Sequence, residues 1–411
     1  MSENLKTDTL AWEYEKAFFE ELRDKVKYNV YQAEFYRRMA EEYHDNSFLD
    51  KADRTEACSK IWDLDYYLKH GLKQVVGINR CGDSFCYICQ SIKAQRRYEI
   101  YSPVLKSYEE ENDVYHVVFS VPNVDGGRLK WTLDKMTDRF ARLIRYFNGG
   151  KKIKGVSFES FGYRGAVRSL EITTGKRKRL EDNDFHPHFH CMFILRKGMN
   201  FEKNIYNSFS ADRYGHRAAK LFSVFDWLLQ RIWCLLMLDI EVTKENIINI
   251  YEATGFKYKD GFSVNADLVT DGNYHEIFKY AIKGTYKKES IFTYNDFEYL
   301  YDALKNRRVY QTYGCLQKHN FNEVDDIFTP KMQTDYLFDI FLQALQRSEK
   351  PIRIQSELEE ILKDFKTNGT KRKRPIKYIG PSTLRRAFKN KSEEEIQNEL
   401  QQMIAELEEG D

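Results

Sequence analysis

Apolar and polar residues recur with two different periods along the chain, and the change of period predicts helices and strands. The segment FHPHFHCMFIL, residues 185–195, has the two-residue period of a strand, in which successive side chains point to opposite faces. Its histidines therefore share one face and its phenylalanines share the other. Residues 10–45 and 131–147 instead have the spacing of amphipathic helices.

The order of these elements predicts an α+β fold. We predict strands at 115–121, 166–173, 186–195 and 262–269, and helices at 131–147 and 218–238. Strand, helix, strand, strand, helix, strand is the order of a ferredoxin-like unit, which has one antiparallel sheet with helices on one face. We also predict a helix at 274–284 that packs against the sheet, and a helix and a short strand within 296–314.

Sequence character divides the chain into four expected regions. These are an N-terminal helical extension at 1–54, a cysteine-rich segment at 55–98, the α+β domain at 99–330 and a charged, helical C-terminal region at 331–411.

Composition and charge narrow the class of protein. A chain of 411 residues with 42% hydrophobic and 15% aromatic residues can bury a real core. The net charge of +2 averages acidic and basic runs, which are most often solvated surface and become evidence for nucleic-acid binding only beside suitable chemistry. No stretch approaches the roughly 20 apolar residues of a membrane span, and the first residues lack a signal-peptide pattern. We therefore expect a cytoplasmic protein.

Three cysteines stand close together in RCGDSFCYICQ. Cys81, Cys86 and Cys89 include a C-x2-C pair, the spacing at which two thiolates reach one tetrahedral zinc ion. A closed site needs a fourth ligand, for which Cys58 is the nearest candidate and Cys315 the alternative. Cys191 and Cys234 lie in apolar runs and are expected to be core thiols. The alternative interpretation is that the three clustered cysteines are free.

The histidine strand is a candidate site for a divalent cation. His188 and His190 are two residues apart and can chelate one ion, with Glu171 on the strand expected to run alongside as a third ligand. His186 precedes Pro187 at the start of the strand and is expected to contact DNA or orient a ligand. The alternatives are solvated histidines and an exposed strand glutamate.

The predicted helix at 274–284 places three reactive groups on one face. Glu276, Tyr280 and Lys283 are spaced by four and three residues, and they offer a carboxylate, a phenol and an ammonium group. Each group has a role in phosphoryl chemistry, as proton acceptor, nucleophile and counter-charge. A solvated helix face is the alternative.

Taken in order, these motifs resemble those of the HUH endonucleases, specifically the HPHFH form found in the replication initiators of bacterial rolling-circle plasmids. The resemblance rests on FSVPN (119–123), GAVRSLEIT before the histidines, HPHFH, and EIFKYAIK with its E-x-x-K-Y-x-x-K pattern. It covers roughly residues 55–315, and it includes the cysteine segment with Arg96 and Arg97 behind it.

The resemblance implies origin-specific nicking and joining of single-stranded DNA through a tyrosine-phosphodiester intermediate. Tyr280 would be the nucleophile, Glu276 would replace the second tyrosine of some relatives, and His188 and His190 would bind Mn²⁺ or Mg²⁺. Structural zinc at the cysteines, single-stranded or supercoiled plasmid origin DNA, and a host helicase and polymerase are the expected cofactor and partners, with no membrane. The residues expected to contact DNA are Arg96, Arg97, Lys176 and Arg177.

Other functions are compatible with parts of the pattern. A relaxase or a single-strand transposase would use the same chemistry. A zinc-stabilised DNA-binding protein without catalysis would keep the histidine strand as structure. A metal-binding β-barrel enzyme also uses H-x-H strands, but it needs more regularly spaced strands than this chain offers.

Overall fold

The computed structural model describes residues 29, 32–67, 72–174, 184–199, 201–206, 221–255, 262–270, 272, 274–278, 282–283, 293–321 and 352–357. Its helices are α1 (32–43), α2 (Ser47–Ala57), α3 (Tyr87–Glu109), α4 (Gly126–Phe147), α5 (Val224–Met237), α6 (Lys244–Ile248), α7 (Ile250–Ala253) and α8 (Tyr294–Leu304). Its strands are β1 (Ile61–Tyr67), β2 (Leu72–Ile78), β3 (Asn112–Ser120), β4 (Val124–Asp125), β5 (Gly165–Thr174), β6 (Asp184–Arg196), β7 (Ile205–Tyr206), β8 (Leu221–Phe222), β9 (Val264–Leu268), β10 (Ile282–Lys283), β11 (Tyr310–Gly314) and β12 (Ile352–Glu357). None of the helices in this part of the chain has the length and apolar character needed to cross a membrane.

The chain forms two compact units. The first combines Met1–Arg96 with Asp325–Asp411, and the second is Arg97–Val324. In the first unit, β12, β1 and β2 form an antiparallel sheet in that order. The N-terminal helix expected at 10–45 is present as α1 over 32–43, and its earlier residues, apart from residue 29, lie outside the described part of the chain.

Strand β12 corrects the expectation that the chain is helical from residue 331 onward. Its sequence IRIQSE alternates apolar and polar side chains, which is the two-residue period of a strand. It pairs antiparallel with β1, with Ile61 opposite Glu357 and Tyr66 opposite Ile352. Hydrogen bonding to an open strand edge therefore decides the structure of this charged segment.

The second unit contains a ferredoxin-like core. Strands run in the order β10, β5, β6, β3, β9, with β11 also paired to β5 and β4 to β6. The succession β3, α4, β5, β6, α5, β9, with antiparallel pairing between β5, β6, β3 and β9, confirms the predicted α+β fold.

Helices α4 and α5 cover one face of this sheet through an aromatic core. The Phe140 ring of α4 lies 5.4 Å from that of Phe119 and 5.6 Å from that of Phe189, both in edge-to-face contact. From α5, Trp233 packs against Phe119 at 5.4 Å and donates its indole N–H to the Ser120 carbonyl at 2.9 Å. The phenylalanines of β6 therefore face the core, as the alternation predicted.

Helix α5 begins later than the predicted residue 218. Ser223 caps it in a capping box with Asp226, and the short strand β8 precedes it. The second carboxylate oxygen of Asp226 accepts the backbone N–H of Ala266 at 2.5 Å. The cap therefore also connects α5 to β9.

The opposite face of the sheet is partly covered as well. Tyr101 and Leu105 of α3 pack there with buried residues from β3, β5, β6, the 274–278 segment, β11 and the chain after it, namely Val114, Val167, Met192, Ile194, Tyr274, Ile277, Phe278, Tyr310, Leu316 and Phe321. Met192 and Ile194 continue the histidine face of β6 toward the end of that strand. This apolar cluster thus adjoins the histidines.

The predicted helix at 274–284 is wrong over its described residues. His275–Phe278 form a single 3-10 turn, and Ile282–Lys283 are strand β10, which pairs parallel with β5. Tyr274, Ile277 and Phe278 are buried in the apolar cluster, and pairing with the edge of β5 satisfies backbone groups that a helix would have satisfied internally. Lys283 therefore does not share a helical face with Glu276.

Candidate metal centres

The histidines of β6 face a carboxylate on the neighbouring strand. Strand β6 lies between β5 and β3, and its register places Glu171 directly opposite His188. The Glu171 Oε2 atom lies 2.8 Å from His190 Nε2 and 3.5 Å from His188 Nε2. Glu171 and His190 are buried, with 2% and 8% of their surface exposed. The three groups can therefore offer one ligand atom each to a single ion, as their residue types predicted.

Both imidazoles are held through the nitrogen that faces away from Glu171. His188 Nδ1 lies 3.1 Å from the backbone carbonyl of His186, and His190 Nδ1 lies 3.0 Å from Nε2 of His116. Such contacts orient metal-binding histidines and fix which nitrogen carries the proton. The Nε2 atoms of both rings converge on Glu171.

His116 is a site residue that sequence reasoning missed. It has the same two-residue phase as Val118 and Ser120 on β3, and the strand pairs Val118 with His190 and Ser120 with His188. That phase was readable from the sequence, but the pairing of β3 with β6 was not.

The charge of Glu171 is stabilised despite its burial. Burial by itself raises the pKa of this carboxyl, but His188 and His190, when protonated, supply hydrogen bonds and positive charge that outweigh burial and hold the pKa well below its usual range. Glu171 is therefore ionised at neutral pH, the form in which a carboxylate binds a metal ion.

The four cysteines of the N-terminal unit converge in the same way. The Sγ atom of Cys58 lies 3.6 Å from that of Cys86 and 3.7 Å from that of Cys89, and Cys81 lies 3.7 Å from Cys89. A tetrahedral zinc site with zinc–sulfur bonds of about 2.3 Å separates its sulfurs by about 3.8 Å. None of the four is in a disulfide bond, because these separations far exceed the roughly 2.05 Å of such a bond.

The cysteine cluster joins three elements of the unit. Cys58 follows α2, Cys81 follows β2, and Cys86 and Cys89 lie at the start of α3. Burial, together with contacts from the other three cysteines, raises the pKa of Cys86. A bound cation would favour the thiolate forms that burial opposes.

The remaining cysteines lie outside this cluster. Cys58, rather than Cys315, is the fourth member of the group. Cys191 and Cys234 are fully buried core thiols, as their apolar surroundings predicted.

The described chain on either side of Tyr280 lies against the sheet, while Tyr280 itself is outside the described residues, as are Lys176 and Arg177. Glu276 is half-buried in the 3-10 turn. The turn contacts both β5 and β6, and β10 pairs Ile282 with Ile172, the residue after Glu171. The described residues before and after Tyr280 therefore lie beside the strand that carries Glu171.

Tyr274 is already engaged by a carboxylate. It is fully buried and its hydroxyl donates a hydrogen bond to Glu109, and burial together with this carboxylate raises its pKa. These features make it a poor nucleophile.

Of the two arginines behind the cysteines, Arg97 is held inside the second unit. Its Nε donates to the Phe321 carbonyl at 3.2 Å, and its guanidinium lies 4.6 Å from the centre of the Tyr310 ring. Arg96 is the last residue of the first segment of the other unit, so the boundary between the two units falls between these neighbouring arginines. Contact of either residue with DNA stays a prediction.

The chain is similar to replication proteins. The Rep_1 family, described as replication protein, matches residues 72–209, which include Glu171, His188 and His190 but neither Cys58 nor Tyr280. The chain is 24% identical over 311 residues to a Protein rep of Bacillus amyloliquefaciens, which covers 72% of this chain and 80% of that protein. It is 28% identical over 133 residues to a Protein rep of Staphylococcus aureus, covering 32% and 52%. No solved structure matches the chain.

Proposed function

We propose that this chain, which resembles the replication proteins of the Rep_1 family over residues 72–209, starts rolling-circle replication of a plasmid by nicking and rejoining single-stranded origin DNA. The observation that carries this proposal is the convergence of Glu171, His188 and His190. Two imidazoles and one carboxylate leave coordination positions for substrate oxygens, which is typical of a catalytic rather than a structural site.

The ligand set suits Mn²⁺ or Mg²⁺ in the cell, although imidazole also binds zinc. A bound divalent cation would polarise the scissile phosphate. The protein supplies the geometry, because the buried Glu171 and the two oriented imidazoles are fixed by strand register rather than by a loop.

In this proposal Tyr280 is the nucleophile. Its phenol oxygen forms a bond to phosphorus, the bond from phosphorus to the 3′ oxygen breaks, and the phenol proton ends on that oxygen. The products are a 5′-phosphotyrosine link and a free 3′ hydroxyl that a host polymerase can extend. The attachment of the chain at Phe278 and Ile282, on either side of Tyr280, supports this assignment.

Glu276 and Lys283 have supporting roles. Lys283 supplies positive charge near the phosphate, and Glu276 activates a water molecule when the second cleavage ends the cycle. Lys283 lies on β10 and not on a helix. Its pairing with Thr173 on β5, and not helical spacing, supports this role.

The cysteine cluster would hold a structural zinc ion. Its four sulfurs have the separations of a closed tetrahedral site, which leaves no position for substrate. We expect this site to stabilise the N-terminal unit. The basic residues Arg96, Lys176 and Arg177 are expected to contact the DNA backbone. The protein is expected to act in the cytoplasm.

One assay tests the reaction directly. Full-length protein is incubated with a labelled single-stranded library of plasmid origin sequences and Mn²⁺, and we expect a covalent protein–DNA adduct that Tyr280→Phe abolishes. DNA binding without any adduct would instead favour a zinc-stabilised DNA-binding protein. An adduct mapped to another residue, such as Tyr286, would refute the nucleophile.

A further inference from the structure

His116 has no part in the chemistry proposed above, although it touches one of the metal-binding histidines. Its Nε2 lies 3.0 Å from His190 Nδ1, and the two rings are parallel within 2°. We propose that His116 is a positioning residue that keeps His190 in the tautomer able to bind a divalent cation. This inference rests on the proposed function insofar as it takes Glu171, His188 and His190 as the metal ligands.

His188 shows which tautomer a metal-binding histidine needs at this site. Its Nδ1 faces the His186 carbonyl at 3.1 Å, and a carbonyl oxygen can only accept a hydrogen bond. The ring proton of neutral His188 is thereby held on Nδ1, which leaves the lone pair of Nε2 for a cation.

His190 has the same arrangement with a different acceptor. Its Nδ1 can carry the ring proton and donate it to His116 only when the facing Nε2 of His116 offers a lone pair. Without that acceptor, the proton of neutral His190 can move to Nε2, where Glu171 Oε2 lies 2.8 Å away and accepts it. In that second tautomer Nε2 donates a hydrogen bond to Glu171 and has no lone pair left for a metal ion.

Strand pairing keeps His116 in place. It lies on β3, between β6 and β9, opposite Met192 on one side and Asp267 on the other. Because Val118 is opposite His190, the two histidines are diagonal neighbours on one face of the sheet, a distance that long side chains bridge. The contact is therefore set by register and not by a flexible loop.

The test measures metal binding in the absence of DNA. Mn²⁺ is titrated into full-length, zinc-loaded protein, and binding is followed by calorimetry and by electron paramagnetic resonance. Mn²⁺ is chosen because thiolates prefer softer ions, so the cysteine cluster should not bind it. Three variants are compared with wild type: His116→Phe, which keeps a ring but removes the acceptor; His116→Gln, which restores an acceptor; and His319→Phe, the same change at another half-buried histidine.

We expect His116→Phe to weaken Mn²⁺ binding by about 10- to 100-fold, the usual effect of losing a partner of a metal-binding histidine. His116→Gln should recover most of the affinity, and His319→Phe should leave it unchanged. Thermal unfolding of each variant shows that the proteins compared are folded.

The double variant His188→Ala/His190→Ala distinguishes a failure of the role of His116 from a failure of the proposed metal site. If it loses Mn²⁺ while His116→Phe binds as wild type, the role of His116 is overturned and the metal site stands. Equal weakening by His116→Phe and His116→Gln would also overturn it, because an acceptor would then not be the property that matters. If the double variant binds Mn²⁺ normally, the proposed metal site itself fails.

Discussion

At the scale of single residues, the candidate nuclease site depends on pairs of groups that lie far apart in the sequence. Glu171 reaches His188 and His190 from an adjacent strand, and His116 reaches His190 from the strand on the other side. Each imidazole thus has one nitrogen toward the site and the other in a hydrogen bond. Changes to individual side chains should therefore alter metal binding without unfolding the sheet.

The first prediction concerns the two ligands together. His188→Ala/His190→Ala should abolish metal-dependent nicking and leave duplex DNA binding within about twofold, since metal ligation and backbone contact are separate contributions. Gel-based nicking and fluorescence anisotropy measure the two properties. His186→Ala should have a milder effect, because the group that accepts the hydrogen bond of His188 is the His186 backbone carbonyl, which alanine keeps. Undiminished nicking by the double variant would contradict the site.

The second prediction separates the nucleophile from the residue that ends the cycle. Tyr280→Phe should give no adduct, whereas Glu276→Ala should keep the first nick and the adduct but accumulate products longer than one plasmid unit. Tyr274→Phe is the matched control, because this buried tyrosine donates its hydroxyl to Glu109. Replication products are sized on denaturing gels, and loss of the first nick in Glu276→Ala would refute its assigned role.

At the scale of elements, caps and ligand clusters determine where helices begin. Ser223 and Asp226 start α5, and Asp226 also accepts a backbone N–H from β9. The cysteines connect the end of α2, the end of β2 and the start of α3. Removing one of these contacts should therefore lower the stability of the folded protein.

The third prediction tests the cap of α5. Ser223→Ala should lower the free energy of unfolding by about 1 kcal/mol, the usual cost of losing an N-cap. Asp226→Ala should cost more, about 2–4 kcal/mol, because it also leaves the buried N–H of Ala266 without its acceptor. Urea unfolding of both variants measures the difference. Equal losses would mean that the connection to β9 contributes nothing.

The fourth prediction concerns the cysteine cluster. Protein purified without added zinc should contain about one tightly bound zinc ion per chain, and Cys89→Ser should reduce this toward zero and lower the melting temperature. Cys315→Ser is the control, since this half-buried thiol lies outside the cluster. Metal analysis that finds no zinc in the wild-type protein would reduce the segment to a loop with thiols.

At the scale of the whole molecule, the N-terminal unit is completed by residues from the far end of the chain. Strand β12 pairs with β1 from Ile61 opposite Glu357 to Tyr66 opposite Ile352. The second unit is built from the continuous stretch Arg97–Val324. Truncation at the C-terminus should therefore affect the two units unequally.

The fifth prediction is the result of removing residues 351–411. The amides of β1 should exchange with solvent at least about tenfold faster, because one edge of that strand loses its hydrogen-bonded partner, while the amides of β3 should change little. Hydrogen exchange read by mass spectrometry compares the two strands. Unchanged exchange in β1 would show that β12 contributes little to the sheet.

The sequence by itself determined features that depend on neighbours along the chain. The two-residue alternation of 185–195 predicted that phenylalanines face the core and histidines share the opposite face, and the C-x2-C spacing predicted that Cys86 and Cys89 lie together. The order of strands and helices predicted the ferredoxin-like core. Periodicity and spacing are local properties, so one sequence is sufficient to read them.

Tertiary structure decided whatever depends on which segments meet. Strand register placed Glu171 opposite His188 and brought His116 to His190, and folding selected Cys58 over Cys315. Pairing with β1 gave the alternating segment 352–357 its partner strand, and the edge of β5 made 282–283 a strand where the sequence predicts a helix. Backbone hydrogen bonds at an open sheet edge outweigh local helix propensity there, because a partner distant in sequence satisfies the same donors and acceptors.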